Sequence, residues 1–180
     1  MRHSQKNHGF TLVEFSIVIA AAMVLIAIAM VGWARVEATN RSSQLISAVS
    51  AIDQAIRTQY ANEYSYTGLT VDAIASHLPA DLRPPACSGT CPAGTVRSPY
   101  GGTITVTGRG IGMRQFEIRI SAPLPADGCA DLATRMGGQY WSVSRGSATM
   151  KSASMAAIPA ATASAACSAN LNLPLSFIGT

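Results

Sequence analysis

Residues 9–35 read GFTLVEFSIVIAAAMVLIAIAMVGWAR, a run with one acid, Glu14, and no base before Arg35. From Phe15 to Ala34 there is no charge, and Ser16 is the single hydroxyl or amide side chain. Twenty helical residues rising about 1.5 Å each span roughly 30 Å, the thickness of a bilayer's hydrocarbon core. Arg2 and Lys6 lie just before the run, so the positive-inside rule holds the N-terminus in the cytoplasm and sends the rest outward. Trp33 falls near the far end, where an indole suits the interface. An ordinary secretory signal is one reading, with Ala27-Ile28-Ala29 as a small-residue cleavage site. Glu14 stands against it. A carboxylate in lipid costs up to about 2.5–3.5 kcal/mol at a helix centre and less near an end, and a signal sequence has no use for one.

Beyond Arg35 the composition changes but the helical period continues. Leu45, Val49, Ile52, Ile56 and Tyr60 recur every three or four residues, with Ile46 alongside, as an amphipathic stripe. Glu37 precedes Arg41 and Asp53 precedes Arg57 by four residues, the favourable order on a helix. No proline precedes Pro79, so one helix is expected from Phe10 to Tyr60, about 75 Å long. Gly32 is its weak point, at a cost of about 1 kcal/mol, and either a bend or close packing accounts for it.

The bulk composition agrees: 48% hydrophobic but only 12% charged and 6% aromatic. About 140 residues remain after the apolar run, enough for one modest core. The net charge of +4 falls to +2 if Arg2 and Lys6 are removed, leaving 11 basic residues against 9 acidic ones. The remaining bases are scattered, so a mixed, solvated surface is expected rather than a nucleic-acid footprint. Past residue 9 the only histidine is His77, expected at the exposed end of a short helix rather than as a catalytic base. Paired carboxylates in a motif, a phosphate-binding glycine loop and an activated-nucleophile signature are not found, so a membrane-tethered enzyme is disfavoured.

The rest of the chain predicts a small mixed domain. Thr70 is expected to cap a short helix with Val71, Ile74 and Leu78 on its apolar face and Pro79 at its end. Thr103–Thr107 and Gln115–Ser121 read as strands of a hairpin, turned by Gly108–Gly112, with Phe116, Ile118 and Ile120 on one face. Tyr140–Ser144 and Leu173–Ile178 are weaker strand signals. Asp127 is expected to cap a helix running through Leu132 to Met136 and ended by Gly137-Gly138. The Ala- and Ser-rich stretch from Ser147 to Asn170 reads as a surface loop. Four cysteines allow three pairings, and sequence does not choose among them. Cys87 and Cys91 are close enough to close on each other, leaving Cys129 and Cys167 to tie a large loop, worth about 4 kcal/mol in the chain-entropy model. A four-cysteine zinc site is the rival, weakened by the wide second spacing and the oxidising compartment.

Gly9-Phe10-Thr11-Leu12-Val13-Glu14, between a basic leader and a charge-free span, resembles the processing motif of type IV pilins and pseudopilins. The resemblance implies that a prepilin peptidase/methyltransferase cuts after Gly9 and methylates Phe10. Residues 1–9 would then be a cytoplasmic leader, 10–36 the transmembrane and assembly half of the helix, and 37–180 the outer globular domain. It also implies that Glu14 guides assembly, its carboxylate relieved by the amine of a neighbouring subunit's Phe10. Gly68-Leu69-Thr70, Leu78-Pro79 with Asp81-Leu82, Tyr100-Gly101-Gly102 and Gly128-Cys129-Ala130-Asp131-Leu132 resemble the type IVb pilins of thin and conjugative pili. The short leader and Phe10 are more typical of type IVa pilins, and Cys87 with Cys91 looks like an insertion. The fold implied is α+β, an α/β roll in which the long helix packs on an antiparallel sheet with a disulfide-bounded C-terminal region. The implied function is structural: a major pilin serving adhesion, aggregation, motility or conjugation, with no cofactor and no catalysis. A minor pilin or type II secretion pseudopilin is the alternative. The implied partners are further copies of the chain, the bacterial inner membrane before assembly, the pilus assembly machinery, and host-cell, phage or DNA contacts of the extracellular filament.

Overall fold

The computed structural model describes residues 12–84, 94–121, 123–169 and 171–180. It comprises two units, Met1–Thr39 and Asn40–Thr180. One helix, α1 (Leu12–Gln59), supplies the described part of the first unit and the opening of the second. The expected helix is therefore present, with Phe10 and Thr11 outside the described residues.

In the second unit a six-stranded antiparallel sheet is built from β1 (Val96–Arg97), β2 (Thr103–Arg109), β3 (Gln115–Ile120), β4 (Ser142–Arg145), β5 (Ala148–Lys151) and β6 (Leu175–Gly179). Its order is β1-β2-β3-β6-β4-β5, so the last of these strands lies in the middle of the sheet. The register explains the inward face. Val106, Ile118, Phe177 and Val143 form one cross-strand row and Ile104, Ile120, Leu175 and Arg145 the next, all of them buried. The predicted stripe of α1 closes over this face: Leu45, Val49, Ile52 and Ile56 are wholly buried and join the same core. Fully burying such a side chain is worth about 1.5–3 kcal/mol, so the stripe alone explains why this part of the helix is held.

The β2–β3 hairpin forms as read, but its turn lies further on. Gly108 and Arg109 continue the strand, paired with Phe116 and Gln115. Only glycine fits at 108, because a Cβ there would collide with the Tyr66 carbonyl. The chain instead turns through Gly110 and Gly112, both at positive φ.

Two other expectations are corrected. The short helix before Pro79 is a run of turns ending in one 3-10 turn, Ala75–His77, with i→i+3 bonds such as Leu78 N to Ala75 O. Val71, Ile74 and Leu78 are buried as expected and Thr70 Oγ1 accepts from Ala73 N, but the segment is too short to repay α-helix nucleation. Asp127 is not a cap: α2 (Ala126–Met136) starts after Pro125, and Asp127 sits in the first turn, where its charge suits the helix dipole. α2 does end at Gly137 as expected, in a right-handed conformation that leads into a 3-10 turn.

The largest correction is to residues 147–170. They are not a loop, because they contain β5 and a third helix, α3 (Ala160–Ala169). Alanine is the best helix former, Pro159 opens the helix by accepting from Ala163 N, and small side chains let α3 sit close against its neighbours.

Candidate functional site

Two parts of the chain carry the expected functional residues. In the first unit, Gly9 and Phe10 lie outside the described residues, and Glu14 stands in the first turn of α1, exposed. Ser16, the one hydroxyl in the apolar run, returns its hydrogen bond to Val13 O at 2.8 Å and so presents no unmet donor to its surroundings. Large apolar side chains are exposed all round this helix, from Leu12 at 87% to Trp33 at 77%. By length and composition α1 is able to cross a membrane.

In the second unit, α1 is fastened to the domain by polar contacts as well as by its stripe. Arg57 Nε donates to Asp53 at 2.9 Å, Nη1 donates to Thr180 O at 3.2 Å, and the guanidinium lies 5.5 Å from the centre of the Phe116 ring. The hydrogen bond to Asp53 raises the Arg57 pKa against the effect of burial. Burial first, and then the Asp53 charge, push the Tyr140 phenol far above its usual range, so it stays protonated. Further up the helix, Ser42 Oγ donates to Asp131 Oδ2 at 2.5 Å, and Arg135 Nε donates to Asp131 Oδ1 at 2.6 Å. Burial works to raise the Asp131 pKa, but these two donors outweigh it and the net shift is downward.

Asp131 belongs to the Gly128–Leu132 segment singled out in the sequence, and the structure gives that segment a physical role. Gly128 faces the Tyr100 side chain so closely that a Cβ there would lie 2.8 Å from Oη. Two distant motifs, one around Tyr100-Gly101-Gly102 and one around Gly128, therefore meet in space. Cys129 and Cys167 form a disulfide that joins α2 to α3. The other expected pair, Cys87 and Cys91, lies outside the described residues. His77 is exposed, and Nε2 is 2.9 Å from Gln59 Oε1, beside the end of α1.

Sequence reading missed two buried cations that organise the disulfide-bounded region. Arg145 is fully buried, and its Nη2 donates to Leu124 O and Leu171 O at 2.9 Å each, drawing together the chain before α2 and after α3. Lys151, 4% exposed, donates from Nζ to Gly137 O at 2.8 Å, Gly138 O at 3.3 Å and Tyr140 O, holding the 3-10 turn that follows α2. The available signal was strand parity. Once Val143 is assigned inward, Arg145 faces inward too.

These constellations tie elements together; they do not converge on a reacting atom. The comparisons with known proteins fit that character. Residues 36–172 match the family model described as Bundlin. The solved structure of TcpA, a type IV pilin from Vibrio cholerae El Tor biotype, is similar with a TM-score of 0.57 at 12% identity, over 78% of this chain and 99% of that one. At that identity the likeness bears on the fold. A comparison with curated proteins finds no match.

Proposed function

Given that the chain belongs to the Bundlin family and is a type IV pilin subunit, we propose that it is the major subunit of its pilus. The precursor is held in the inner membrane by residues 10–36. Prepilin peptidase cuts after Gly9 and Phe10 is methylated. The assembly machinery then moves the subunit into a growing filament outside the cell, where it serves adhesion, aggregation, motility or conjugation.

The observation that carries this reading is the contrast within α1, whose described side chains over residues 12–36 are exposed and mostly apolar, while one stripe is buried from Leu45 onward. An apolar helix surface with no partner in its own chain needs lipid or other helices around it. Both are supplied in turn by a subunit that leaves a membrane for a filament. Glu14 sets the register: its carboxylate, costly in an apolar bundle, is neutralised by the Phe10 amine of a neighbour.

Electron microscopy and mass spectrometry of sheared surface fibres test this directly. The chain is expected as their bulk component, beginning at methylated Phe10. A mature start at Met30 or Val31 would overturn the processing scheme. Correct processing with only trace incorporation would make the chain a minor pilin or a pseudopilin.

A further inference from the structure

We propose that the Cys129–Cys167 disulfide is a local clasp: oxidised, it seats α3 on the domain, and reduced, it releases residues 152–169 as a tethered loop while α1, α2 and the sheet stay folded. The inference concerns the isolated chain and does not depend on the filament role proposed above.

Besides the disulfide, α3 is held by packing of small side chains against α2 and β5, with few long side chains buried. It has 10 residues, a length at which an isolated helix is marginal in water. Its buried side chains are Ala163 and Cys167, with Ala166 partly covered and Ile158 seated just before it. The hydrogen bonds described for the helix stay within it or its first turn: Ala163 N to Pro159 O and Ser168 Oγ to Ala165 O. The Lys151 ammonium is bonded to the carbonyls of Gly137, Gly138 and Tyr140, outside α3.

The elements on the other side of the disulfide have anchors of their own. In α2, Leu132, Ala133 and Met136 are buried, Asp131 is bound to Ser42 of α1, Gly128 abuts Tyr100, and Lys151 holds the Gly137 carbonyl. The ends of the released segment are also fixed independently. Lys151 ends β5 with its ammonium buried, Arg145 holds Leu171 O, Gly146 N donates to Pro174 O, and β6 is paired on both sides. Opening therefore starts after Lys151 and stops before Leu171.

The chemistry is a thiol–disulfide exchange. A dithiol reductant attacks one sulfur, the Sγ–Sγ bond breaks, both cysteines take up protons as thiols, and the reductant leaves as its own disulfide. Cys129 and Cys167 are both fully buried, so attack waits on α3 lifting away. The clasp is slow to undo but local in effect. Releasing it changes the surface formed by Ser152, Ser154, Thr162 and Ser164, all exposed in the oxidised chain.

Hydrogen exchange on the full chain in detergent micelles tests the proposal, comparing oxidised protein, dithiothreitol-treated protein and the Cys129→Ala/Cys167→Ala double variant, which leaves Cys87 and Cys91 in place. Protection over 160–169 is expected to fall about 100-fold in both altered forms, and that over 45–56, 115–120 and 126–136 to stay within about threefold. Unchanged protection of 160–169 in the double variant would overturn the clasp. So would loss of protection throughout, or a variant that fails to fold, since either makes the disulfide a staple for the whole domain. The dithiothreitol-treated chain, made from folded protein, gives the same comparison without refolding.

Discussion

The two parts of α1 share a backbone and differ in everything their side chains ask of their surroundings. Residues 12–39 expose every described side chain, however apolar, while residues 40–59 bury one stripe and leave the opposite side to solvent. Helical regularity is thus indifferent to environment, and the difference lies in where the partner is. For Leu45, Val49, Ile52 and Ile56 it is in the same chain. For Phe15, Leu25 and Trp33 it is not, and the free energy of covering them becomes available to a membrane or to other copies.

That comparison can be broken most sharply at Glu14. Glu14→Ala is expected to abolish filaments under the electron microscope while the cut after Gly9 persists by mass spectrometry. Normal filaments would remove the residue's role in register. Next in size is a matched pair of truncations. Ile52→Ala should lower the unfolding free energy of the domain by about 2–5 kcal/mol in denaturant titrations, whereas Ile26→Ala should change it by no more than about 0.5 kcal/mol. Equal effects would mean that both parts of the helix are held by the same domain.

Ser42→Ala is expected to cost about 1 kcal/mol, through the lost hydrogen bond to Asp131. It also alters the pH response. The Asp131 carboxyl is held below its ordinary value of 3.8 in the folded chain, so its contribution is complete above that value and is lost as the pH falls through the lower folded one. Denaturant midpoints in mildly and strongly acidic buffers should show a smaller acid-induced decline in the variant, and an unchanged decline would remove the contact's part in it. The smallest effect is expected from Arg57→Lys. It should cost about 0.5 kcal/mol by the same titrations, because the pair with Asp53 is partly exposed and a lysine stacks less well on Phe116.

The comparison also explains what was legible in the sequence. Periodicity identified α1 and its buried stripe, and alternation identified the β2–β3 hairpin, because both are one-dimensional records of which side is covered. β1 escaped because two residues carry no period. α3 escaped because an alanine helix buries its face through small size rather than apolarity, so its composition resembles a loop. Of the candidate site, the Cys129–Cys167 pair is the partner set left once Cys87 and Cys91 are matched by their close spacing, whereas Arg145 and Lys151 read only as scattered surface charge. Their role depends on carbonyls at Leu124, Leu171, Gly137 and Tyr140, and backbone acceptors leave no trace in a sequence.

The position of β6 has a consequence for how the molecule is made. The β2–β3 and β4–β5 hairpins do not touch as strands until Leu175–Gly179 arrives between them, pairing with β3 on one side and β4 on the other. A ribosome that stalls before residue 175 therefore leaves two separate hairpins, not a slightly shortened sheet. Closure of the sheet waits for this strand, so a subunit that lacks it differs in kind from one that has it and is open to proteolysis before it can join anything.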